Sequence, residues 1–156
     1  MPQDTLVRDV MTTNVATLAP DEPVTAAADK LAERAVGAMP VVDENGRLIG
    51  LFRDSDLIVS EARVHVPTFL SIPGVSIPWP GSMKHVHEEL EKVAGATVGE
   101  VMDDDPMTIG PDDTLEELAT RMHESDVTHL PVVNTDGRVI GIVARGDIVR
   151  FIARTT

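Results

Sequence analysis

The sequence predicts an α+β fold in which two tandem copies of a β-α-β-β-α unit pack as a pseudo-two-fold pair. The first observation is an internal repeat: residues 7–57 align without a gap on residues 98–148, with 17 identities in 51 positions. The second is that both copies show the same succession of hydrophobic patterns and turn signals. A unit of this size leaves one hydrophobic face uncovered, and pairing with a second copy buries that face.

The elements of copy one illustrate the pattern. A helical lead-in precedes a short predicted strand, Asn14–Leu18. Apolar residues then recur at helical spacing over Val24–Leu31, which predicts an amphipathic helix. A strand over Ala38–Val42 and the Asn45-Gly46 pair predict a hairpin, because glycine adopts the positive φ that tight turns need. A last helix follows, and copy two repeats these elements 91 residues later.

An insert separates the two copies. We expect repeat one over residues 1–61, the insert over 62–96 and repeat two over 97–156. Val66–Pro80 is apolar and rich in proline, which favours either a lid over the core or a contact surface for another chain. Ser82–Val93 has the spacing of an amphipathic helix. His85 and His87 would point apart on that helix and could not chelate one metal ion.

Composition excludes several classes of function. The formal net charge of −13 at pH 7 opposes binding to nucleic acid polymers and to anionic membranes, because both need clustered Lys and Arg. The first residues lack the basic and apolar segments of a signal peptide, and there is no cysteine, so we expect a cytoplasmic protein. The sequence has no nucleophile elbow, P-loop, dinucleotide fingerprint or zinc spacing, which predicts that the protein is not an enzyme.

Three short segments in each copy resemble one family. Copy one contains V-R-D-V-M, M-P-V-V-D and G-R-L-I-G, and copy two contains V-G-E-V-M, L-P-V-V-N and G-R-V-I-G. These segments resemble the CBS domain, a tandem pair of which forms a Bateman module. The resemblance implies a homodimer whose clefts bind AMP, ADP or ATP, or S-adenosylmethionine, with Mg²⁺ accompanying a polyphosphate, and which signals to an effector protein. The alternative is a ligand-independent, dimeric interaction protein that regulates its partner.

The resemblance also implies which residues hold the ligand. The family's motif, Gly-hydrophobic-x-Thr/Ser-x-x-Asp, matches residues 50–56 and 141–147, so Asp56 and Asp147 would accept hydrogen bonds from ribose hydroxyls. The phosphate contacts would come from Ser55, Arg53 and Arg145. The base pocket would be formed by Thr17, Ala38, Met39, Thr108, Thr128, His129 and Leu130.

The two copies differ from the motif and from each other. Arg53 and Ala144 stand where the motif has Thr or Ser. Asp54 follows in copy one, whereas Arg145 stands at the equivalent position in copy two. Since a carboxylate repels phosphate, we expect the nucleotide in the cleft that contains Asp147. No catalytic residue and no set of metal ligands is predicted.

Overall fold

The computed structural model describes residues 4–55 and 95–155 and, between them, the backbone of two short strands. The helices of these ranges are α1 (Val7–Val10), α2 (Val24–Arg34), α3 (Val98–Val101), α4 (Leu115–Glu124) and α5 (Arg145–Thr155). The strands are β1 (Ala38–Val42), β2 (Leu48–Arg53), β3 (Phe69–Ile72), β4 (Val75–Pro78), β5 (His129–Val133) and β6 (Val139–Ala144). The predicted mixture of helices and strands in two matching copies is confirmed. None of the described helices is long and apolar enough to cross a membrane.

Each copy contains the predicted hairpin. In copy one, β1 pairs antiparallel with β2 from Ala38–Arg53 to Val42–Leu48. The Asp43 carboxylate accepts the backbone N–H groups of Asn45 and Arg47 at 2.9 and 3.0 Å, which closes the turn. Gly46 follows with a φ of +78°, the conformation for which glycine is suited. β5 and β6 form the same hairpin in copy two, with Asn134 in the role of Asp43.

The predicted first strand is reduced to a single bridging residue. The Leu18 N–H donates to the Pro40 carbonyl, and the Val42 N–H donates to the Leu18 carbonyl, both at 2.9 Å. The next bond of this parallel ladder would run from residue 40 to the Ala16 carbonyl, but proline has no N–H to donate. The ladder therefore stops at Leu18. Ile109 and Pro131 repeat this arrangement in copy two.

Each copy's lead-in helix completes the hydrophobic core of the other copy. Val7 of α1 is fully buried in a cluster with Ile109, Leu118 and other residues of copy two. Val98 of α3 is fully buried in the equivalent cluster of copy one, beside Leu18. The core clusters thus do not follow the boundaries of the sequence repeats. The two copies are bound to each other through their hydrophobic cores as well as along their surfaces.

Backbone hydrogen bonds accompany this exchange. Thr12, the second residue after α1, pairs with the edge of β6: Thr12 and Ile142 exchange N–H···O bonds of 2.9 and 3.0 Å. Asp103 and Leu51 exchange the equivalent pair of bonds in the other copy, with the same two lengths. Arg47 and Arg138 oppose each other where the two hairpin turns meet. Because these two positions are equivalent in the repeat, the pseudo-two-fold axis passes between them.

Glycine is required where a methionine from the opposite copy crosses a hairpin strand. A Cβ atom added at Gly141 would lie 2.5 Å from the Met11 sulfur and 3.0 Å from the Thr12 carbonyl oxygen. One added at Gly50 would collide with the Met102 sulfur and lie 2.9 Å from a backbone carbonyl. In each copy, the methionine of the lead-in segment thus packs against the glycine of the opposite hairpin.

The insert contains a hairpin that the sequence did not lead us to expect. β3 and β4 pair antiparallel, from Phe69–Pro78 to Ile72–Val75. Pro78 is the last residue of β4, and both strands are edges of a two-stranded sheet, where proline is tolerated. Trp79, the predicted helix Ser82–Val93 and the histidines within it lie outside the described residues.

Helix α2 ends in a strained residue. Ala35 adopts the left-handed conformation, with φ of +52° and ψ of +44°, and the next N–H bonds to the Leu31 carbonyl at 3.1 Å. Such a helix end is normally occupied by glycine, because the left-handed conformation crowds a Cβ atom. Ala35 is exposed, so its methyl group gains little from burial.

We expect Ala35→Gly to raise the free energy of unfolding by about 1 kcal/mol, because glycine removes the crowding at this position. Ala32→Gly is the matched control. Ala32 is exposed in the same helix but has ordinary helical geometry, so its replacement should lower the free energy of unfolding by about 1 kcal/mol. Urea denaturation measures both values. A loss of stability in both variants would contradict the left-handed helix end.

We expect Gly141→Ala to lower the free energy of unfolding by about 1–3 kcal/mol, the usual result of adding a methyl group to a filled site. Gly146→Ala is the control, because its added methyl group meets only the movable side chain of Arg150. The substitution should be less harmful in a Met11→Ala background, as measured by a double-mutant cycle. Full additivity would show that the methionine is not the obstacle.

Candidate functional site

A cleft of about 240 Å³ lies between the two copies. We call it the Thr12 cleft. Its lining is formed by Thr12, Asn14, Val15, Ala16, Arg34, Val36, Ala38, Met39 and Ile142. Eight of these nine residues belong to copy one, and Ile142 belongs to β6 of copy two. The cleft is therefore a product of the pairing rather than of either copy alone.

The exchange of lead-in helices explains how these residues meet. The segment 12–18 begins at the edge of β6, where Thr12 pairs with Ile142. It ends at the edge of β1, where Leu18 pairs with Val41. The residues between these two bridges consequently span from one hairpin to the other and form a wall of the cleft. Since the ladder stops before Ala16, the Ala16 carbonyl does not take part in strand pairing with β1.

Asp147 stands at the start of α5, close to this cleft. One carboxylate oxygen accepts the Ala144 N–H at 2.8 Å, and the other forms an ion pair with the Arg150 guanidinium. Its side chain is only 11% exposed. A second hollow, of about 280 Å³, is lined by Asp9, Val10, Thr12, Asp147, Arg150, Phe151 and Arg154. Thr12 lines both hollows, which places them side by side.

His129 occupies the place where the first residues of β1 and β5 approach each other. Its ring is half-buried, and its Nδ1 atom lies 2.9 Å from the Thr128 hydroxyl. Gly37 of copy one lies directly against the ring. Burial lowers the pKa of His129 below its usual 6.5, because the imidazolium loses solvation. Asp54 and Asp147 oppose this shift and Arg53 adds to it.

This pKa shift predicts a pH dependence of stability. Both the folded and the unfolded chain hold a neutral His129 well above pH 6.5. As the pH falls through 6.5, the unfolded chain binds a proton that the folded chain does not, so the free energy of unfolding decreases. We expect His129→Gln to remove this part of the pH dependence between about pH 7.5 and 5.5. An unchanged slope in urea denaturation would contradict the shift.

The other predicted site residues are more dispersed. Arg145 forms an exposed ion pair with Asp126 at 3.3 Å. Ser55 and Thr17 are exposed, and Thr17 is not among the residues that line the Thr12 cleft, whereas its neighbour Ala16 is. Leu130 is fully buried in the core of copy two. Asp56 lies outside the described residues.

Thr108, a further predicted residue of the base pocket, has a backbone contact that is specific to copy two. The Thr108 carbonyl accepts a hydrogen bond of 3.3 Å from Arg121, which also pairs with Glu117. In copy one, Lys30 stands at the position equivalent to Arg121 and pairs with Glu22 instead. The backbone at Thr108 is thus already engaged, which makes it a poor candidate for reading a ligand.

Sequence reasoning missed seven of the nine residues that line the Thr12 cleft. These are Thr12, Asn14, Val15, Ala16, Arg34, Val36 and Ile142. The missing signal was the exchange between the copies: the base pocket was assigned copy by copy, whereas the structure combines copy one's wall with a strand of copy two. Within residues 4–55 and 95–155, no group of three or more His, Cys, Asp or Glu side chains is placed to hold a metal ion.

Comparison with known proteins places this geometry in a family. The model of the CBS domain matches residues 7–62 and 98–154. The chain belongs to the CBS domain family. The two matches make it a tandem CBS pair, as the repeat predicted.

Two relatives and one solved structure illustrate the likeness. The CBS domain-containing proteins CBSX2 and CBSX1 of Arabidopsis thaliana, both chloroplastic, are 33% identical over 149 residues and 32% identical over 136 residues. These alignments cover 92% and 84% of this chain, but only 62% and 56% of the relatives. The crystal structure of CBSX2 in complex with AMP superposes with a TM-score of 0.74 at 28% identity, over 97% of this chain and 98% of that chain.

Proposed function

We propose that this CBS pair binds an adenosine-containing ligand, of the AMP, ADP or ATP class, in the Thr12 cleft and signals its presence to a partner protein. One observation carries the proposal. Thr12 lies between an apolar hollow and a second hollow that contains Asp147 and two arginines. The apolar hollow matches a base, the Asp147 carboxylate matches ribose hydroxyls, and the two arginines match an anionic group. The AMP complex of the similar protein CBSX2 supports the same class of ligand.

The apolar part of the cleft suits a purine base. Val15, Ala16 and Ala38 offer small aliphatic surfaces between which a flat ring can lie. Because Pro40 cannot extend the ladder, the Ala16 carbonyl can accept a hydrogen bond from an exocyclic amino group. The Asn14 amide can both donate and accept at the ring edge. S-adenosylmethionine presents the same base, so this pocket alone does not separate it from nucleotides.

Asp147 is suited to the ribose. A carboxylate accepts hydrogen bonds from two neighbouring hydroxyls, and the start of α5 holds this one in place through the Ala144 N–H. Ribose would compete with Arg150 for the same carboxylate oxygen. The displaced guanidinium, together with Arg154, would then be available to an anionic group of the ligand. Mg²⁺ would enter only with a polyphosphate.

Ligand binding at this site would favour one arrangement of the two copies. The wall of the cleft belongs to copy one, whereas Ile142 and Asp147 belong to copy two. A ligand that contacts both stabilises the arrangement in which all contacts are made. The output would pass through another chain or a second copy, and the exposed Val149 and Ile152 of α5 supply an apolar surface for such a contact.

A second candidate function is regulation without a ligand. Ala144 lacks the hydroxyl of the family's motif, and Asp147 already has two partners within the chain. Both features would also suit a purely structural Asp147. Ligand binding separates the two candidates directly.

We expect AMP to bind the wild-type chain in isothermal titration calorimetry, and Asp147→Asn to weaken binding by roughly ten- to a hundredfold, because each hydrogen bond to a charged group contributes about 1.5–3 kcal/mol. Asp113→Asn is the matched control. Asp113 accepts the Gly110 N–H at 2.8 Å in the same three-residue geometry but does not line either hollow.

Equal loss of AMP affinity in Asp147→Asn and Asp113→Asn would indicate a general loss of structure rather than a ribose contact. Failure of AMP, ADP, ATP and S-adenosylmethionine to bind the wild-type chain at millimolar concentration would overturn ligand sensing and favour the ligand-independent function.

A further inference from the structure

The repeat relates the Thr12 cleft to a second set of positions, which we call the Asp103 cleft. Every lining residue has an equivalent 91 positions away. In the order given for the Thr12 cleft, the equivalents are Asp103, Asp105, Pro106, Met107, Ser125, Val127, His129, Leu130 and Leu51. The backbone frame is the same, since Asp103 and Leu51 pair as Thr12 and Ile142 do. The side chains are different in both size and charge.

The Asp103 cleft carries larger side chains where the Thr12 cleft has alanines. Met107 replaces Ala16, and His129 replaces Ala38. The His129 ring is half-buried and lies against Gly37, so it occupies space that the Ala38 methyl group leaves open in the other copy. A purine that fits between Ala16 and Ala38 therefore meets two large side chains in the Asp103 cleft.

The charges of the two clefts are opposite. The Thr12 cleft contains one charged side chain, Arg34, and the uncharged Thr12 and Asn14. At the equivalent positions stand Ser125 and the two carboxylates Asp103 and Asp105. The Asp103 carboxylate accepts a hydrogen bond of 3.1 Å from the Asp105 N–H. Arg34 attracts an anionic ligand, whereas the half-buried Asp103 and the exposed Asp105 repel it.

We propose that each chain binds one adenosine-containing anion, in the Thr12 cleft, and that Asp103, Asp105, Met107 and His129 close the Asp103 cleft to it. This inference rests on the proposed function and adds a stoichiometry and a determinant of specificity. Arg34 adds to Arg150 and Arg154 a third positive charge that favours a ligand with an anionic group over neutral adenosine. The two halves of the pair thus differ in role: one half supplies the base pocket, and the other half keeps its equivalent pocket shut.

Isothermal titration calorimetry with AMP tests the stoichiometry. We expect one AMP per chain. Two AMP per chain would overturn this inference while leaving the proposed function intact, and no binding by the wild-type chain would overturn both. Adenosine should bind at least about tenfold more weakly than AMP, and Arg34→Ser should reduce that difference. A preference for AMP that is unchanged in Arg34→Ser would contradict the role of this residue.

Exchanging residues between the clefts tests which cleft is used. Ala16→Met imports the larger residue into the Thr12 cleft and should weaken AMP binding by more than about tenfold, because the added side chain fills the base pocket. Met107→Ala is the matched control and should leave affinity and stoichiometry unchanged. Ala16 is half-buried, so the variant is expected to fold, which circular dichroism would verify. If Met107→Ala changed AMP binding and Ala16→Met did not, AMP would be assigned to the Asp103 cleft.

Four substitutions in the Asp103 cleft test whether a second AMP site can be created. Asp103→Thr, Asp105→Asn, Met107→Ala and His129→Ala together give the Asp103 cleft the small, uncharged lining of its equivalent. We expect a second AMP to bind to this variant. A stoichiometry that stays at one would show that other residues close the cleft, and would overturn the assignment to these four.

Discussion

The exchange of lead-in helices is the contact on which the rest of this molecule depends. Val7 and Val98 each reach full burial only in the core of the opposite copy. Removal of apolar surface from water is the main favourable contribution to folding, and here that contribution cannot be completed within one copy. The pair is thus a single hydrophobic structure, although its sequence reads as two units and an insert.

The geometry of the candidate site follows from that exchange. The chain must pass from the edge of β6 to the edge of β1, and residues 12–18 form one wall of the Thr12 cleft on the way. The close passage of Met11 requires Gly141, and the same glycine begins the motif that ends at Asp147. The packing contact and the proposed binding site therefore share one short segment of β6 and α5. This proximity is why a ligand in the cleft would be sensitive to the relation between the copies.

The sequence was sufficient for the two repeats and their hairpins, but not for the β3–β4 hairpin of the insert and only partly for the site. Identical residues at a constant spacing predicted the copies, and the Asn-Gly and Asp-Gly pairs predicted both hairpins, because these signals are local. The Thr12 cleft combines residues that are more than a hundred positions apart, and no local pattern shows that Ala38 and Ile142 share a wall. The short first strand was overestimated because the missing N–H belongs to Pro40, on a different strand.

The reciprocal packing of α1 and α3 bears on how such a chain could arise. One copy carries both parts of the exchange, a lead-in helix and the groove that receives it, so two separate single-copy chains could make the same contacts as a symmetric dimer. Joining them in one polypeptide adds no contact but turns association into an intramolecular event at a high effective concentration. Once joined, the two halves no longer have to be identical. Each position related by the repeat can then change in one copy alone, a freedom that a dimer encoded by one short gene does not have.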